Sequence, residues 1–514
     1  MSNDAMSSAV RPPYASDTKI PSLAQLLVDG GDSRIALDTH GVNKYGCTVE
    51  PQSAEDSMFA FGSATASTIS QRGFAAANHV YQKIVQATLD DAPSSLYALY
   101  AQEMQSLRQE LKQLCQTSDA VDVVFAASGT DLHLMVSQLF TGATSGPSMI
   151  VMVEAGETGS SVPAALQGLH FSDCSALGVP VCAGQSAGDA DAPELVRIAL
   201  READGTPRAA ADIDGEVETL ITSACGHNKR VLLVLADVTK TGMIGPSVTC
   251  ALALRKRYPY QLEVLVDACQ FRLTNATLNA YLEQQFLVAI TGSKFVSGPS
   301  FSGALFFPEA AAIRYRQQTA PEALYAYSSR ADWPASWSGM DGLQKKANCG
   351  LLVRWVAAIV ELRAFRSLPD EAIHQFVQEF RRAVLHNIGT HSDLSLLPVP
   401  APDRQALTTM PGWDQWPTIF PFVLHHPSGE PLSREQTTTV YRRLQHEKRM
   451  QVGQPVTCGV WQQIPVSALR LCLSARLITA ALSDDGDTHN KAEQIISAAI
   501  AVLDAARRLG AGIE

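Results

Sequence analysis

Three segments of the chain place chemically useful side chains at the ends of predicted strands. The first, residues 124–134, carries Ser128, Gly129 and Thr130 between an apolar strand and an apolar helix. Such a turn presents free backbone N–H groups and hydroxyls at a helix N-terminus, which favours binding of an anion such as a phosphate. A helix cap without a ligand is the competing interpretation, because serine and threonine are also common N-caps.

The second segment ends a predicted buried strand with a carboxylate. Asp267 follows an apolar run that begins at Leu262, and Gln270 comes three residues later. Ligands of α/β sheets bind at the carboxyl ends of the strands, so this position suits a functional residue. A buried carboxylate needs a partner, which would be an arginine, a helix terminus or the protonated ring nitrogen of a cofactor.

The third segment, residues 290–305, places Lys294 after a buried strand, next to the hydroxyls of Thr291 and Ser293. A lysine in such surroundings is used either to bind a phosphate or, when desolvated, to form a Schiff base. A solvated surface lysine is the alternative, which the apolar strands on both sides disfavour.

The order of phosphate-type turn, strand-end Asp and strand-end Lys resembles the fold-type I pyridoxal-phosphate-dependent enzymes, especially their cysteine desulfurase and class V aminotransferase branch. Residues 266–270 are similar to the V-D-x-x-Q stretch of that branch, and residues 291–294 with 298–299 are similar to its S-G-H-K and G-P. The resemblance covers residues 96–310. It implies an α/β fold with a seven-stranded, mostly parallel sheet and a smaller C-terminal α+β domain.

The resemblance also implies a role for each matching residue. Lys294 would carry pyridoxal 5'-phosphate as a Schiff base and later move protons, and Asp267 would keep the ring nitrogen protonated. Arg470 would bind the substrate α-carboxylate, with Arg476 as the alternative. The implied cofactor contacts are Ser128, Gly129, Thr130, Thr158, Asp267, Gln270, Thr291, Ser293 and Lys294.

The chain departs from that branch at several positions. No histidine or other aromatic residue follows the second core strand, where the branch stacks one on the cofactor ring. The candidates for that place are Thr158, Glu157 or an aromatic residue from elsewhere in the chain. Ser293 stands where the branch has a histidine. Residues 239–242 replace an Asn-rich stretch. The chain is therefore predicted to be a remote member, and its reaction does not follow from the resemblance alone.

Histidine and cysteine spacing predicts no metal site. His133 and His170 have no spaced partner, so both are predicted to be core or surface polar residues. The ten cysteines form no C-x-x-C pair, which disfavours a zinc cage or a disulfide framework. Cys269 is predicted to point into the core. Cys349 and Cys458 are candidates for a persulfide carrier by position only.

These residues favour an enzyme that acts on an amino acid, with aminotransfer expected because no desulfurase cysteine motif is present. A pyridoxal-phosphate-dependent lyase that cleaves a C–S or C–C bond is the alternative, and a non-catalytic protein of the same fold is a third. A nicotinamide oxidoreductase would need G-x-G-x-x-G after the first strand, which residues 126–130 lack.

Composition restricts the partners and the location. The 514 residues are 46% hydrophobic and 18% charged, and the formal net charge of −11 disfavours binding to nucleic acid and to anionic lipid. No apolar run reaches the roughly 18 residues that cross a bilayer. We therefore expect a cytoplasmic protein with neither nucleic acid nor membrane as a partner, and the resemblance implies a homodimer.

Hydrophobic periodicity predicts the elements that position these residues. Short β-branched runs predict strands at 121–125, 149–153, 179–182, 231–236, 262–266, 287–290 and 304–307. Helical spacing of apolar residues predicts helices at 96–114, 351–365, 373–388 and 492–509. The predicted organisation is an N-terminal arm (1–75), a large cofactor-binding domain (76–335) and a small C-terminal domain (336–514).

Overall fold

The computed structural model describes residues 20–89, 93–143, 146–189, 191–408, 412–483 and 488–513. The first 19 residues of the predicted arm lie outside this description. The strands are β1 (Ala60–Phe61), β2 (Asp122–Ala126), β3 (Ser148–Val153), β4 (Glu194–Ile198), β5 (Arg230–Asp237), β6 (Ile244–Gly245), β7 (Leu262–Ala268), β8 (Leu287–Thr291), β9 (Gly303–Phe307), β10 (Leu394–Leu396), β11 (Ile419–Leu424), β12 (Gln451–Trp461) and β13 (Ile464–Cys472).

The α-helices include the four that the sequence predicts, here α4, α11, α12 and α15. They are α1 (Leu23–Leu27), α2 (Ala54–Met58), α3 (Gln71–Leu89), α4 (Pro93–Leu114), α5 (Gly129–Gly142), α6 (Val162–Leu166), α7 (Ala210–Gly226), α8 (Val248–Arg257), α9 (Asn275–Glu283), α10 (Glu309–Tyr315), α11 (Cys349–Arg366), α12 (Asp370–Gly389), α13 (Arg434–Lys448), α14 (Ala475–Leu482) and α15 (Thr488–Ala511).

Seven strands form the central sheet in the order β2-β9-β8-β7-β5-β3-β4, and the short β6 pairs with β5. Strand β9 runs antiparallel to both of its neighbours, and the other pairs along this path are parallel. Strands β7, β8 and β9 are buried at every residue, as strands covered on both faces should be. The predicted seven-stranded, mostly parallel sheet is confirmed.

One predicted strand, residues 179–182, is wrong. That segment forms an isolated bridge between Cys174 and Pro180, and the seventh strand is β4 instead. Pro180 has no N–H to donate to a strand ladder. Strand β4 lies at the edge of the sheet and is half exposed. Because Glu194 and Arg197 are exposed there, this segment lacks the continuous apolar run from which the other strands were predicted.

A second sheet of five strands, β1-β12-β13-β11-β10, supports the C-terminal part of the chain. Strand β1, from the N-terminal segment, pairs in parallel with β12. The two sheets have separate hydrophobic cores, and α11 contributes Leu352 and Trp355 to the core of the central sheet. The predicted division of the chain at residues 75 and 335 stays a prediction.

The two cores meet beside the predicted catalytic lysine. Phe295 stacks on Trp413, with ring centroids 5.3 Å apart, and meets Phe365 edge-on at the same distance. All three rings belong to the second core. Phe295 also accepts a backbone hydrogen bond from Ala475, at the start of α14. The residue that follows Lys294 is therefore anchored in the C-terminal core.

Among the described residues, the helices are all too short or too polar to cross a membrane.

A buried ion pair joins the connector before β11 to the central sheet. Arg404 donates from Nε to Asp237 Oδ2 at 2.8 Å, and both side chains are buried. Tyr281 donates its hydroxyl to the same oxygen at 2.7 Å. Because the pair is desolvated, removal of one charge leaves the other buried and unpaired.

We therefore expect Arg404→Met to lower the free energy of unfolding by about 3–5 kcal/mol. The exposed pair of Arg443 with Glu447 provides a matched control, for which Arg443→Met should cost roughly 0.5 kcal/mol or less. Urea denaturation of both variants measures the difference. Equal stability of the two variants would contradict the importance of the buried pair.

Candidate active site

A pocket lies at the carboxyl ends of β5, β7 and β8. The N-terminus of α5, the N-terminal segment and two residues of the second sheet, Gln454 and Arg470, complete its walls. The structure brings together every residue predicted for the site. These are Ser128, Gly129, Thr130, Thr158, Asp267, Gln270, Thr291, Ser293, Lys294 and Arg470.

The turn before α5 packs tightly against the ends of β7 and β8. Ser128 is the N-cap of α5, and its hydroxyl accepts a hydrogen bond from the backbone N–H of Asp131. A Cβ at Gly129 would lie 2.8 Å from Cys269 Sγ, so only glycine lets the turn approach this closely. The Thr291 hydroxyl donates to the Cys269 carbonyl at 2.7 Å, which fixes the opposite wall.

An arginine from the N-terminal segment reaches this turn, and no sequence pattern predicts it. Arg34 donates to Thr130 Oγ1 at 3.2 Å and to Ser128 Oγ at 3.4 Å. Its guanidinium lies over the Phe301 ring, 5.0 Å from the centroid, and is also paired with Asp32. The turn therefore combines a helix N-terminus with a partly buried guanidinium, which suits a phosphate.

A buried carboxyl lies directly under the same turn. Burial, together with the nearby charge of Asp32, raises the pKa of Asp131 to about 7. The Ser128 hydroxyl donates to Asp131, which partly offsets this effect. Near neutral pH, Asp131 therefore accepts a proton readily, and an anion bound at the turn would favour the neutral carboxyl.

Asp267 has a partner that sequence spacing did not reveal. His133 Nε2 lies 3.3 Å from Asp267 Oδ2, and His133 is buried. The Gly129 carbonyl lies 2.6 Å from His133 Nδ1 and can only accept, so Nδ1 carries a proton. Nε2 must then also be protonated to face a carboxylate favourably. His133 therefore has a contact with Asp267 in addition to the core or surface polar role predicted from the sequence.

The charges around Asp267 keep it ionised. Burial alone would raise its pKa, but the charge of His133 and then that of Lys294 lower the pKa well below its ordinary value. The backbone N–H of Cys269 adds a hydrogen bond to Oδ1 at 3.1 Å. Asp267 is therefore a carboxylate throughout the neutral range.

Lys294 is held by a tightly folded loop between β8 and β9. Gly292 donates to the Ser302 carbonyl and Gly298 to the Gly292 carbonyl, both at 2.8 Å. A Cβ at Gly298 would lie 2.5 Å from the Ala358 Cβ on α11, so the loop lies directly on that helix. The loop therefore fixes the backbone from which Lys294 enters the pocket.

Of the two candidate arginines, the structure places only Arg470 at the pocket. Its guanidinium is buried and donates to Thr65 Oγ1 at 2.9 Å and to the Gln454 carbonyl at 2.7 Å. Arg476 instead donates to the carbonyls of Thr68 and Ser297, outside this pocket. Arg470 is therefore the better candidate for contact with a substrate.

Neither protein-family models nor curated proteins match the chain. Solved structures do match. A NifS-like protein aligns with a TM-score of 0.51 at 12% identity, over 87% of this chain and 99% of its own. The cystine C–S lyase C-DES, in complex with its reaction product cysteine persulfide, aligns with a TM-score of 0.52 at 14% identity, over 85% and 97%.

A NifS-like protein from Rickettsia africae aligns with a TM-score of 0.50 at 11% identity, over 87% of this chain and 99% of its own. The chain has the fold-type I fold of pyridoxal-phosphate-dependent enzymes. At these identities the likeness shows the fold, and the predicted fold class is confirmed.

Within this fold-type I chain, the position after β3 is polar, as the sequence predicted. Thr158 lines the pocket with a buried hydroxyl, whereas Glu157 turns to Arg201, whose Nε lies 2.8 Å from its carboxylate. Of Thr158 and Glu157, only Thr158 is thus free to contact a ligand.

None of the cysteines offers an exposed thiol inside the pocket, and all ten lie in the described part of the chain. Cys269 lines the pocket but is buried, and burial raises its pKa well above the ordinary value. Cys349 and Cys458 lie elsewhere, and burial raises the pKa of each to about 11. The structure therefore gives no support to either as a persulfide carrier.

The pair of Asp267 and His133 predicts a pH-dependent loss of stability. In His133→Leu the buried carboxylate loses its nearest cation, so we expect a loss of about 3–5 kcal/mol at pH 7.5. Burial then raises the pKa of Asp267 in the folded state, so His133→Leu should itself become more stable as the pH falls from 7.5 to 5 and the carboxylate is protonated. Urea denaturation at the two pH values measures this.

The double variant His133→Leu/Asp267→Asn serves as the control. Neither variant carries the His133 imidazole, which titrates between these pH values in the unfolded chain, so the two differ only in the Asp267 carboxylate. The single variant should therefore gain stability relative to the double variant between pH 7.5 and pH 5. A stability difference between the two variants that does not change with pH would show that His133 acts only through packing.

Proposed function

We propose that the chain is a pyridoxal-phosphate-dependent enzyme that acts on an amino acid through Lys294, as an aminotransferase. The observation that carries this proposal is the joint placement of Asp267 and Lys294, at the ends of the adjacent strands β7 and β8, in one pocket with the anion-binding turn of α5. The fold alone would not distinguish an enzyme from a binding protein.

The pocket contains buried polar atoms that suit a polar aromatic ligand. Among the described residues, Thr158 Oγ1 and Gln270 Oε1 have no hydrogen-bond partner, and His133 Nε2 has only its ionic contact with Asp267. Buried polar atoms are normally satisfied, so unsatisfied ones lining one pocket point to a ligand. The residues present therefore fit the proposed cofactor.

Each residue would then do one physical task. Ser128, Gly129 and Thr130 would hold the phosphate with Arg34, and Thr291 and Ser293 would close that end. Asp267 would hold the proton on the ring nitrogen, since a carboxylate kept ionised by His133 attracts it. The bound cofactor supplies an electron sink for the bond broken at Cα.

Lys294 and Arg470 would act on the substrate. Lys294 would hold the aldehyde carbon of the cofactor and, once released, move the proton at Cα. Arg470 would bind the α-carboxylate, for which a planar guanidinium is well suited.

A C–S lyase is the second candidate, favoured by the structural likeness to C-DES. We place this reaction second to aminotransfer. A desulfurase that carries persulfide on its own cysteine is disfavoured, because no exposed thiol lies in the pocket. Turnover of an amino-acid panel, with keto acid and sulfide measured in parallel, separates the two reactions. We further propose that the protein works as a homodimer in the cytoplasm.

Borohydride reduction in the presence of pyridoxal phosphate tests the proposed function. We expect a stable adduct on Lys294, located by peptide mapping, because this amine lies beside the anion-binding turn. Lys294→Ala should give no adduct, whereas Lys44→Met, at an exposed lysine on the rim of the same pocket, should still be labelled at Lys294. Labelling at another lysine would refute the assignment.

Arg34 should distinguish the phosphorylated cofactor from its dephosphorylated form. We expect Arg34→Met to raise the Kd for pyridoxal phosphate by about 10- to 100-fold, the loss for a charge-assisted hydrogen bond, and to leave the Kd for pyridoxal nearly unchanged. Equilibrium titration of both ligands measures this, with Lys44→Met as the control. An equal increase in the Kd values for pyridoxal phosphate and pyridoxal would show that Arg34 has only a structural role.

A further inference from the structure

The pocket carries more positive charge than its carboxylates balance. Asp267 is paired with His133, and Glu157 with Arg201. In the described part of the chain, no carboxylate oxygen lies within ion-pair distance of Lys240, Lys294 or Arg470. Arg470 is buried and the two lysines are half-buried. Desolvated charges are normally paired, so Lys240 and Arg470 call for anionic ligand groups, whereas Lys294 is assigned to the cofactor.

Lys240 is the member of this group that the resemblance does not explain. It lies in the turn between β5 and β6, in the stretch that replaces the Asn-rich residues of the similar branch. Its backbone N–H donates to the Glu157 carbonyl at 2.8 Å, and the neighbouring Thr241 donates to the Glu157 carboxylate at 2.7 Å. The turn is thus held firmly, and the position of the lysine is fixed.

The side chain of Lys240 enters the pocket with little to bind. Its ammonium has one marginal contact, 3.4 Å from the Ala155 carbonyl. Burial, followed by the positive charges of Arg470 and Lys294, lowers the pKa of Lys240 to about 8. An ammonium held in these surroundings gains most from an anion brought by a ligand.

The phosphate of the cofactor does not account for this lysine. The anion-binding turn packs on the ends of β7 and β8, against Cys269 and Thr291, whereas Lys240 follows β5. Strand β5 lies one strand spacing from β7 and two from β8, or about 5 and 10 Å. Arg34 already supplies a cation at the turn.

Lys240 instead neighbours the proposed carboxylate-binding arginine. Arg470 donates from Nη1 to the Lys240 carbonyl at 3.3 Å, so the two residues share one wall of the pocket. An α-carboxylate neutralises only one of the two cations. We propose that Lys240 and Arg470 form a two-cation subsite that selects an α-amino acid with a carboxylate at the end of its side chain.

This inference rests on the proposed function, because it assigns the substrate class of the same site. Arg470 would bind the α-carboxylate and Lys240 the side-chain carboxylate. Lys240 is here a specificity-determining residue and takes part in no bond breaking.

Diacids that lack an amino group test the subsite without any reaction. Isothermal titration of the cofactor-loaded protein would compare succinate and glutarate with their monoamides, succinamate and glutaramate. We expect at least one diacid to bind about 10-fold more tightly than its monoamide, since a charged acceptor replaces a neutral one. Lys240→Met should abolish this ratio, and Lys240→Arg should retain it.

Lys44→Met is the matched control, because Lys44 lines the same pocket but is exposed. It should keep the preference for the diacid. The subsite is refuted if diacid and monoamide bind equally to the unchanged protein, if Lys240→Met keeps the ratio, or if Lys44→Met loses it to the same extent. Loss of cofactor binding in a folded Lys240→Met protein would also refute it, by showing a cofactor contact instead.

The borohydride experiment separates this failure from failure of the proposed function. An adduct on Lys294 without a preference for diacids overturns the subsite alone. Absence of any adduct overturns the proposed function, and the subsite with it.

Discussion

The buried carboxylate of Asp267 is the constraint on which the rest of the site depends. A charged group at the end of a strand that is covered on both faces is shielded from water, so the fold must supply cations to pair with it. His133 supplies one from α5, and Lys294 contributes a second from the loop after β8. Helix α5 must therefore begin over the ends of these strands, which the missing side chain of Gly129 permits. The same placement brings its N-terminus into the pocket.

Two of the predicted site residues that line one pocket in the structure follow buried strands. Asp267 and Lys294 each come at or just after the end of an apolar run, and parallel strands bring such ends to one edge of the sheet. This rule needs only the strand boundaries and not the details of packing. The central sheet could be predicted for the same reason, and the one error fell on β4, a half-exposed edge strand without a continuous apolar run.

The residues that were missed reach the pocket through contacts that spacing does not show. His133 lies on a helix that is buried almost all round, so its neighbours look like ordinary core positions. Arg34 is 94 residues from Ser128 in sequence and comes from a segment with few periodic signals. Lys240 follows a predicted strand, so its place at this edge of the sheet could be predicted. A lysine in a turn is usually solvated, however, and only its position in the pocket wall distinguishes Lys240 from such a residue.

The position of Arg470 relative to Lys294 is set by packing away from the chemistry. Lys294 lies in the loop that follows β8 of the central sheet, and Arg470 lies on β13 of the second sheet. Phe295, between Trp413 and Phe365, ties the lysine loop to the second core. The distance between these two residues of the proposed site is therefore determined by aromatic contacts as well as by the two sheets. In such a site, substitutions of core residues that do not contact the substrate can change the length of the substrate that fits.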